Sequence, residues 1–331
     1  MRTTRKMLAY TSLTACLLIA PAAHALTLSV NCNSTRGLSR IGAAINLLQK
    51  LGLPGANTIN VSGACNENLL IQNMDRLTIV GSNGATLTDA SAGALDVVDI
   101  RNSSVTITGM TINGLNGQNN DTVDCEQASH CTLIGNTLNG GGDVVGAYSL
   151  SSVLIVGGVI QNGTSDGIFT NADAAAFGVQ IQANPVGAIV RMGGRLRIGA
   201  GDPGSFPEFQ SLTPGTIVNN AGDGVDVTSG GAFSCTGCTV ENNSGDGVHA
   251  DVSAAVSIGP AYHNGSPVPP SVTLNAGHGV YLGDLASGTF LGPGVTVTGN
   301  SQPDILCNSA TSVSRRALIA AGGAAHTNCT N

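Results

Sequence analysis

The sequence predicts an all-β chain: a single-stranded right-handed parallel β-helix with an N-terminal capping α-helix. Three observations carry this prediction. A pattern of short strand, Asn-rich turn, Asp-Gly and second strand recurs roughly every 23 residues. The apolar residues are small or branched: 42% of the chain is hydrophobic, yet only 3% is aromatic and Trp is absent. That mixture suits a thin core of stacked Val, Ile, Leu and Ala better than a thick core built on rings. Finally, 46 glycines and many Asn supply the backbone conformations that a coil needs at its corners.

Taken in chain order, residues 1–25 read as a secretory signal. Arg2, Arg5 and Lys6 precede an apolar run from Met7 to Ala20, and Ala23-His24-Ala25 offers a small-x-small cleavage site. Leu13-Thr14-Ala15-Cys16 also has the form of a bacterial lipobox, but the apolar run continues through Leu17, Leu18 and Ile19, which favours ordinary cleavage over a lipid anchor. No later segment is apolar over the ~20 residues a membrane span requires. The expected location is outside the cytoplasm.

Beyond Ala25, ten basic residues face 20 acidic ones. Such a surface disfavours nucleic acid and anionic membranes as partners. Eight of the nine cysteines lie past the signal, and an even number in an exported chain reads as disulfides. Proximity suggests Cys32–Cys65, Cys125–Cys131, Cys235–Cys238 and Cys307–Cys329. Cys235-Thr236-Gly237-Cys238 has the spacing of a redox or metal pair, but no second such pair accompanies it, so a local disulfide is expected.

Residues 26–57 are expected to form the N-terminal cap. Within it, Leu38, Ile41, Ile45 and Leu48 follow 3-4-3 spacing and predict a helix over 37–51, stopped by Gly52 and Pro54. Residues 58–306 are expected to form the coils and 307–331 a second cap. An Asp marks seven of nine coils, and the markers are placed at Asp96, Asp121, Asp143, Asp166, Gly187, Asp223, Asp246, His278 and Asp304. Two residues after each marker comes an apolar residue: Val98, Val123, Val145, Ile168, Ile189, Val225, Val248, Val280 and Leu306. Asn recurs four residues before it, at Asn139, Asn162, Asn219, Asn242 and Asn300. Strands stacked about 4.8 Å apart turn such columns into ladders. One coil could not fold alone: ordering its backbone costs roughly 1–2 kcal/mol per residue, and only burial between neighbouring coils offsets this.

The chain resembles the pectate-lyase-like superfamily of right-handed β-helices in most of its length after the signal. The resemblance rests on helix 37–51, on Asn60-Val61-Ser62-Gly63 and Glu67-Asn68-Leu69-Leu70-Ile71, and on Leu77-Thr78-Ile79-Val80-Gly81. It implies the fold, which hosts many activities. Asp223, Asp246 and Gly277-His278-Gly279 partly match the motif series of polygalacturonases, which implies catalytic roles for Asp223, Asp246 and His278 in inverting glycoside hydrolysis. The match is incomplete: Gly247 stands where that series has a second Asp, and no Arg-x-Lys follows, the next basic residues being Arg315 and Arg316.

The same Asp column has a structural reading, because short carboxylates accept turn N–H bonds, and a third in which adjacent carboxylates hold Ca²⁺. No other cofactor is expected. Two insertions, at about 200–213 and 260–270, leave the repeat at the same offset one uninterrupted coil apart, so they should emerge at one corner and wall a groove. Strand alternation turns Arg195 and Arg197 outward beside the first, and Glu241 outward between the two. These three are the expected ligand-binding residues, with the arginines holding uronate or sulfate groups. A second outward column, three residues past the marker, holds Phe169, Asp226, His249 and Tyr281, in which Asp226 and His249 form a candidate acid–base pair. The functional expectation is a secreted protein that binds or processes an acidic polysaccharide. The alternative is a non-enzymatic, adhesin-like surface protein, and the sequence leaves the question of catalysis open.

Overall fold

The computed structural model describes residues 25–308, apart from 53–55, 116–119, 149, 203, 210, 264–265 and 291–293. The expected signal through residue 24, the expected cap beyond residue 308 and Cys329 lie outside the described residues.

Parallel pairing begins at once. Thr27–Asn31 pairs in register with Asn57–Asn66, so a strand of the coil stack precedes the helix instead of following it. The helix spans Ile41–Leu51 and starts four residues later than the spacing predicts, because Arg40 is extended at φ −143° and ψ 136°. Its N-terminal N–H groups are met from another coil. Ile41 and Gly42 donate to Oε1 and Oε2 of Glu67 at 2.7 and 3.0 Å. Ile41, Ala44, Ile45 and Leu48 are buried, so this face plugs the first coil.

The chain then winds as a right-handed parallel β-helix. Ten strands form one sheet, from Leu69–Gln72 to Ile305–Cys307; nineteen form a second, wrapped sheet. The pairings divide the wrapped sheet into two faces. One carries mostly five-residue strands such as Arg195–Gly199, the other three-residue strands such as Thr216–Val218. Leu77–Thr88 turns the corner between them, pairing with Ser104–Thr108 at one end and Thr111–Asn113 at the other. Among the described residues no helix is long and apolar enough to cross a membrane.

Val98, Val123, Val145, Ile168, Ala188, Val225, Val248, Val280 and Ile305 stack in one inward column. This corrects the expected series at two places. Ala188 replaces Ile189 and Ile305 replaces Leu306, so the markers are Val186 and Pro303 and not Gly187 and Asp304. Gly187 instead aligns with the Gly of the Asp-Gly pairs. That Gly is demanded by close stacking: a Cβ on Gly224 would stand 2.5 Å from the carbonyl oxygen of Gly247. Asp304 instead faces the amide of Asn300.

Amide pairing occurs as expected at two places: Asn162 Nδ2 donates to Asn139 Oδ1 at 2.7 Å, and Asn275 Nδ2 donates to Asn300 Oδ1 at 3.0 Å. At Asn219 and Asn242 the ladder lies one residue later than the repeated Asn suggests. Asn219 and Asn242 are exposed residues with φ near 57° and 56°, the left-handed positions of the turn. The ladder is Asn184, Asn220, Asn243 and Asn275, all buried, and the half-buried Asn300. Each Nδ2 donates to the Oδ1 of the next, at 2.9–3.2 Å. Asp304 ends the series by accepting from Asn300 Nδ2 at 3.1 Å. A side-chain amide both donates and accepts, so it satisfies the coil above and the coil below, which a buried polar group requires.

Disulfides join Cys32–Cys65, Cys125–Cys131 and Cys235–Cys238. Cys307 is also disulfide-bonded, and its expected partner Cys329 is outside the described residues.

Candidate functional site

A groove of about 760 Å³ runs along the outer face of the five-residue strands. Alternation in these strands points every second side chain outward, and parallel register stacks them into two rows. One row is His130, Ser152, Asp173, Arg195, Ala232, Ala255 and Ser287; the other is Thr132, Leu154, Ala175, Arg197, Ser234, Ser257 and Thr289. Arg195 and Arg197 are exposed at the middle strand, while Leu196 and Ile198 between and beyond them are buried. Among the described residues neither guanidinium has a carboxylate within the 4.0 Å of an ion pair, although Asp173 is the register partner of Arg195. His130 Nδ1 lies 2.6 Å from Ser152 Oγ at the groove's N-terminal end. His130 and Asp173 were not singled out from the sequence; the outward positions equivalent to Arg195 on earlier coils would have found them.

Both insertions emerge at the expected corner, but neither lines this groove. The first folds back on the coils. Phe206 packs on Phe177 with ring centroids 5.1 Å apart, and Phe209 meets Phe206 edge-on. The second forms the hairpin Ala261–His263 with Ser266–Val268. Glu241 sits on the three-residue strand Thr239–Glu241 and is not among the groove residues. The arginines are therefore separated from Glu241 by a corner of the coil, because those two strand series form different faces.

Asp223, Asp246 and His278 do come together, at the corner leading into the ten-stranded sheet. Their oxygens serve the coil backbone first. Asp223 Oδ1 accepts the N–H of Asp246 at 2.6 Å, and Asp246 Oδ1 accepts the N–H of His278 at 2.7 Å. The same pattern recurs upstream, where Asp96 Oδ1 accepts the N–H of Asp121 at 2.6 Å. Asp246 also holds two imidazoles, with Oδ1 2.9 Å from His278 Nδ1 and Oδ2 3.0 Å from His249 Nδ1. A carboxylate only accepts, so each Nδ1 carries a proton in these contacts. His249 lies flat on Tyr281, centroids 4.5 Å apart. The outward column Asp226, His249, Tyr281 is in register as expected, yet Asp226 pairs with Arg191 at 3.3 Å and the His249 partner is Asp246. Burial raises the Asp223 carboxyl. It also pushes Asp246 up, but the hydrogen bonds from His249 and His278 outweigh this and hold Asp246 below its ordinary value. His249 is raised by its bond to Asp246.

An acidic row further up the same sheet escaped the sequence reading as a group. Burial raises Asp121 to about 9 and Asp124 to about 8, and burial with nearby Asp143 raises Asp166 to about 7. Tyr148 donates to Asp121 Oδ2 at 3.2 Å and is 3.0 Å from Asp143 Oδ2, and its ring stacks on Phe169. Extending the outward column three coils toward the N-terminus, through Gly146, would have included Asp124 and Asp99. Carboxylate oxygens of Asp99, Asp124 and Glu126 lie within 4.8 Å of one another, a spacing a cation could bridge. Arg101 already contacts Asp99 at 2.7 Å and Glu126 at 2.8 Å, so the guanidinium occupies two of the three.

No family model matches the chain, and no curated protein sequence matches it. Solved structures do. Tailspike protein 2 of an Escherichia coli bacteriophage is 9% identical with a TM-score of 0.50, over 86% of this chain and 43% of that one. The A-module of the Azotobacter vinelandii mannuronan C-5 epimerase AlgE4 is 13% identical with a TM-score of 0.45, over 86% of this chain and 99% of that one. The protein has a right-handed parallel β-helix fold.

Proposed function

We propose that this is a secreted β-helix protein that binds an acidic polysaccharide in the groove over Arg195 and Arg197. One observation carries the reading. Two exposed guanidiniums with no carboxylate partner among the described residues stand midway along the groove, on a chain whose formal charge is −7. Guanidinium matches carboxylate and sulfate oxygens in pairs. A groove crossing seven stacked strands is about 29 Å long at ~4.8 Å per coil, the proportions of an extended glycan lying along the axis. The disulfides support an oxidising compartment.

Binding is preferred to hydrolysis because Asp223 and Asp246 lie outside the groove and each gives an oxygen to main-chain N–H. Titration calorimetry with polygalacturonate and with neutral dextran tests the reading. Only the acidic polymer should bind, and Arg195→Ala with Arg197→Ala should weaken it at least about tenfold, or ~1.4 kcal/mol. Equal affinity of the double variant would reject it. Assays for new reducing ends and unsaturated products in the same samples report any catalysis.

A further inference from the structure

We infer that the groove selects a polysaccharide whose acidic residues are isolated within a neutral chain, and disfavours one charged at every sugar. The inference rests on the binding reading above. Its basis is the placement of charge along the groove. Arg195 and Arg197 are two residues apart on one strand, so they stand side by side about 7 Å apart across the groove. A polymer running along the axis therefore meets both cations on a single coil.

Among the described residues the neighbouring strands put no further Lys or Arg into the groove. One coil earlier the row holds Asp173, an exposed acid. One coil later it holds Ala232 and Ser234. Only His130, three strands earlier in register, adds a titratable base. A sugar spans roughly one coil, so a polyuronate would set a carboxylate over nearly every strand. One of those would lie over Asp173, and the rest would face small side chains and hydroxyls. A chain with one acid between neutral residues avoids this. Its acid takes both guanidiniums at once, and its neutral hydroxyls meet Ser152, Ser234, Ser257 and Thr289. The alanines leave the floor low enough for unsubstituted rings.

The test uses polygalacturonate, the same polymer with most carboxyls reduced to neutral galactose, and the fully reduced polymer, each titrated into the full protein at low and moderate salt. The sparsely charged polymer should bind about tenfold tighter than polygalacturonate, with a salt dependence set by two cations. The fully reduced polymer should bind at least about tenfold weaker than the sparse one. The variant with Arg195→Ala and Arg197→Ala, its fold checked by circular dichroism, should lose the preference. Polygalacturonate binding tightest would overturn this inference and leave the binding reading standing. Failure of every polymer to bind, or equal binding of the fully reduced one, would overturn both.

Discussion

Asp246 Oδ1 accepts two hydrogen bonds from one residue, His278: the backbone N–H at 2.7 Å and ring Nδ1 at 2.9 Å. Its other oxygen takes His249 at 3.0 Å. One carboxylate thus ties the main chain of the next coil and fixes two rings on the sheet face. Asp246→Asn keeps an acceptor for the N–H but forfeits the charge and one ring contact. It should cost about 1.5–3 kcal/mol in urea unfolding at pH 6. The pH window follows from the shifts. His249 is raised, so its contribution is complete below 6.5 and fades as pH rises through its folded value. Asp246 is lowered, so its contribution is complete above 3.8 and fades as pH falls through its folded value. The difference between variant and parent should be greatest between those limits. A difference that stays flat from pH 4 to 9 would remove the pair from the account.

The upstream acids act in the opposite direction to ordinary surface carboxylates. Asp121, Asp124 and Asp166, raised to about 9, 8 and 7, hold protons in the folded state that the unfolded chain releases near 3.8. Stability should therefore fall as pH rises from 5 to 9. Asp121→Asn mimics the protonated acid, keeping an acceptor and a donor for Asp143 N–H and the Tyr148 hydroxyl. It should flatten the decline and raise the melting temperature at pH 8. An unchanged melting curve at pH 8 would count against it.

Asn243 and its neighbour Asn242 should behave oppositely. Asn243→Ala removes the acceptor for Asn220 N–H and Nδ2 and the donor to Ile217 O and Asn275 Oδ1, all buried. The expected loss is about 2–5 kcal/mol. Asn242→Gly sits at φ 56° on the surface and should change stability by less than about 1 kcal/mol. Chemical denaturation of the two variants is sufficient, and equal losses would refute the ladder's role.

The two disulfides that differ most in span should differ most in effect. Cys32–Cys65 closes a separation of 33, and its removal should cost about 3–4 kcal/mol. Cys235–Cys238 spans 3 residues and should cost about half as much. Thermal unfolding of the paired Cys→Ala variants would show the order.

The coil was legible because its signal is repetition: Val225, Val248 and Val280 recur at one spacing and stack as expected. The exact columns were less so. Asn219 and Asn242 stand out in the sequence, yet they are turn residues, and the adjacent Asn220 and Asn243 form the ladder. Two consecutive Asn are indistinguishable by spacing, and only the turn's φ angles separate them. At Pro303-Asp304 the residue type misled the alignment, since Asp304 caps the amide ladder instead of the corner. The groove arginines were legible through alternation with Leu196 and Ile198. Their separation from Glu241 was not, because the number of faces per coil is set by where corners fall, and single-residue turns leave little trace. The sharing of Asp246 by His249 and His278 depends on rotamers across two adjacent coils and had no linear signature.

Glu67 performs for the helix what Asp223 performs for the next coil: it receives main-chain N–H groups that would otherwise face the end of the stack. The plug is thus latched by the first tooth of the same rack that spaces the coils. A fragment lacking residues 25–52 would present Glu67 without its donors and would move the sheet edge from the five-residue strand Thr27–Asn31 to the ten-residue strand Asn57–Asn66. A longer bare edge is a better template for another chain, so the latch also guards against end-to-end growth.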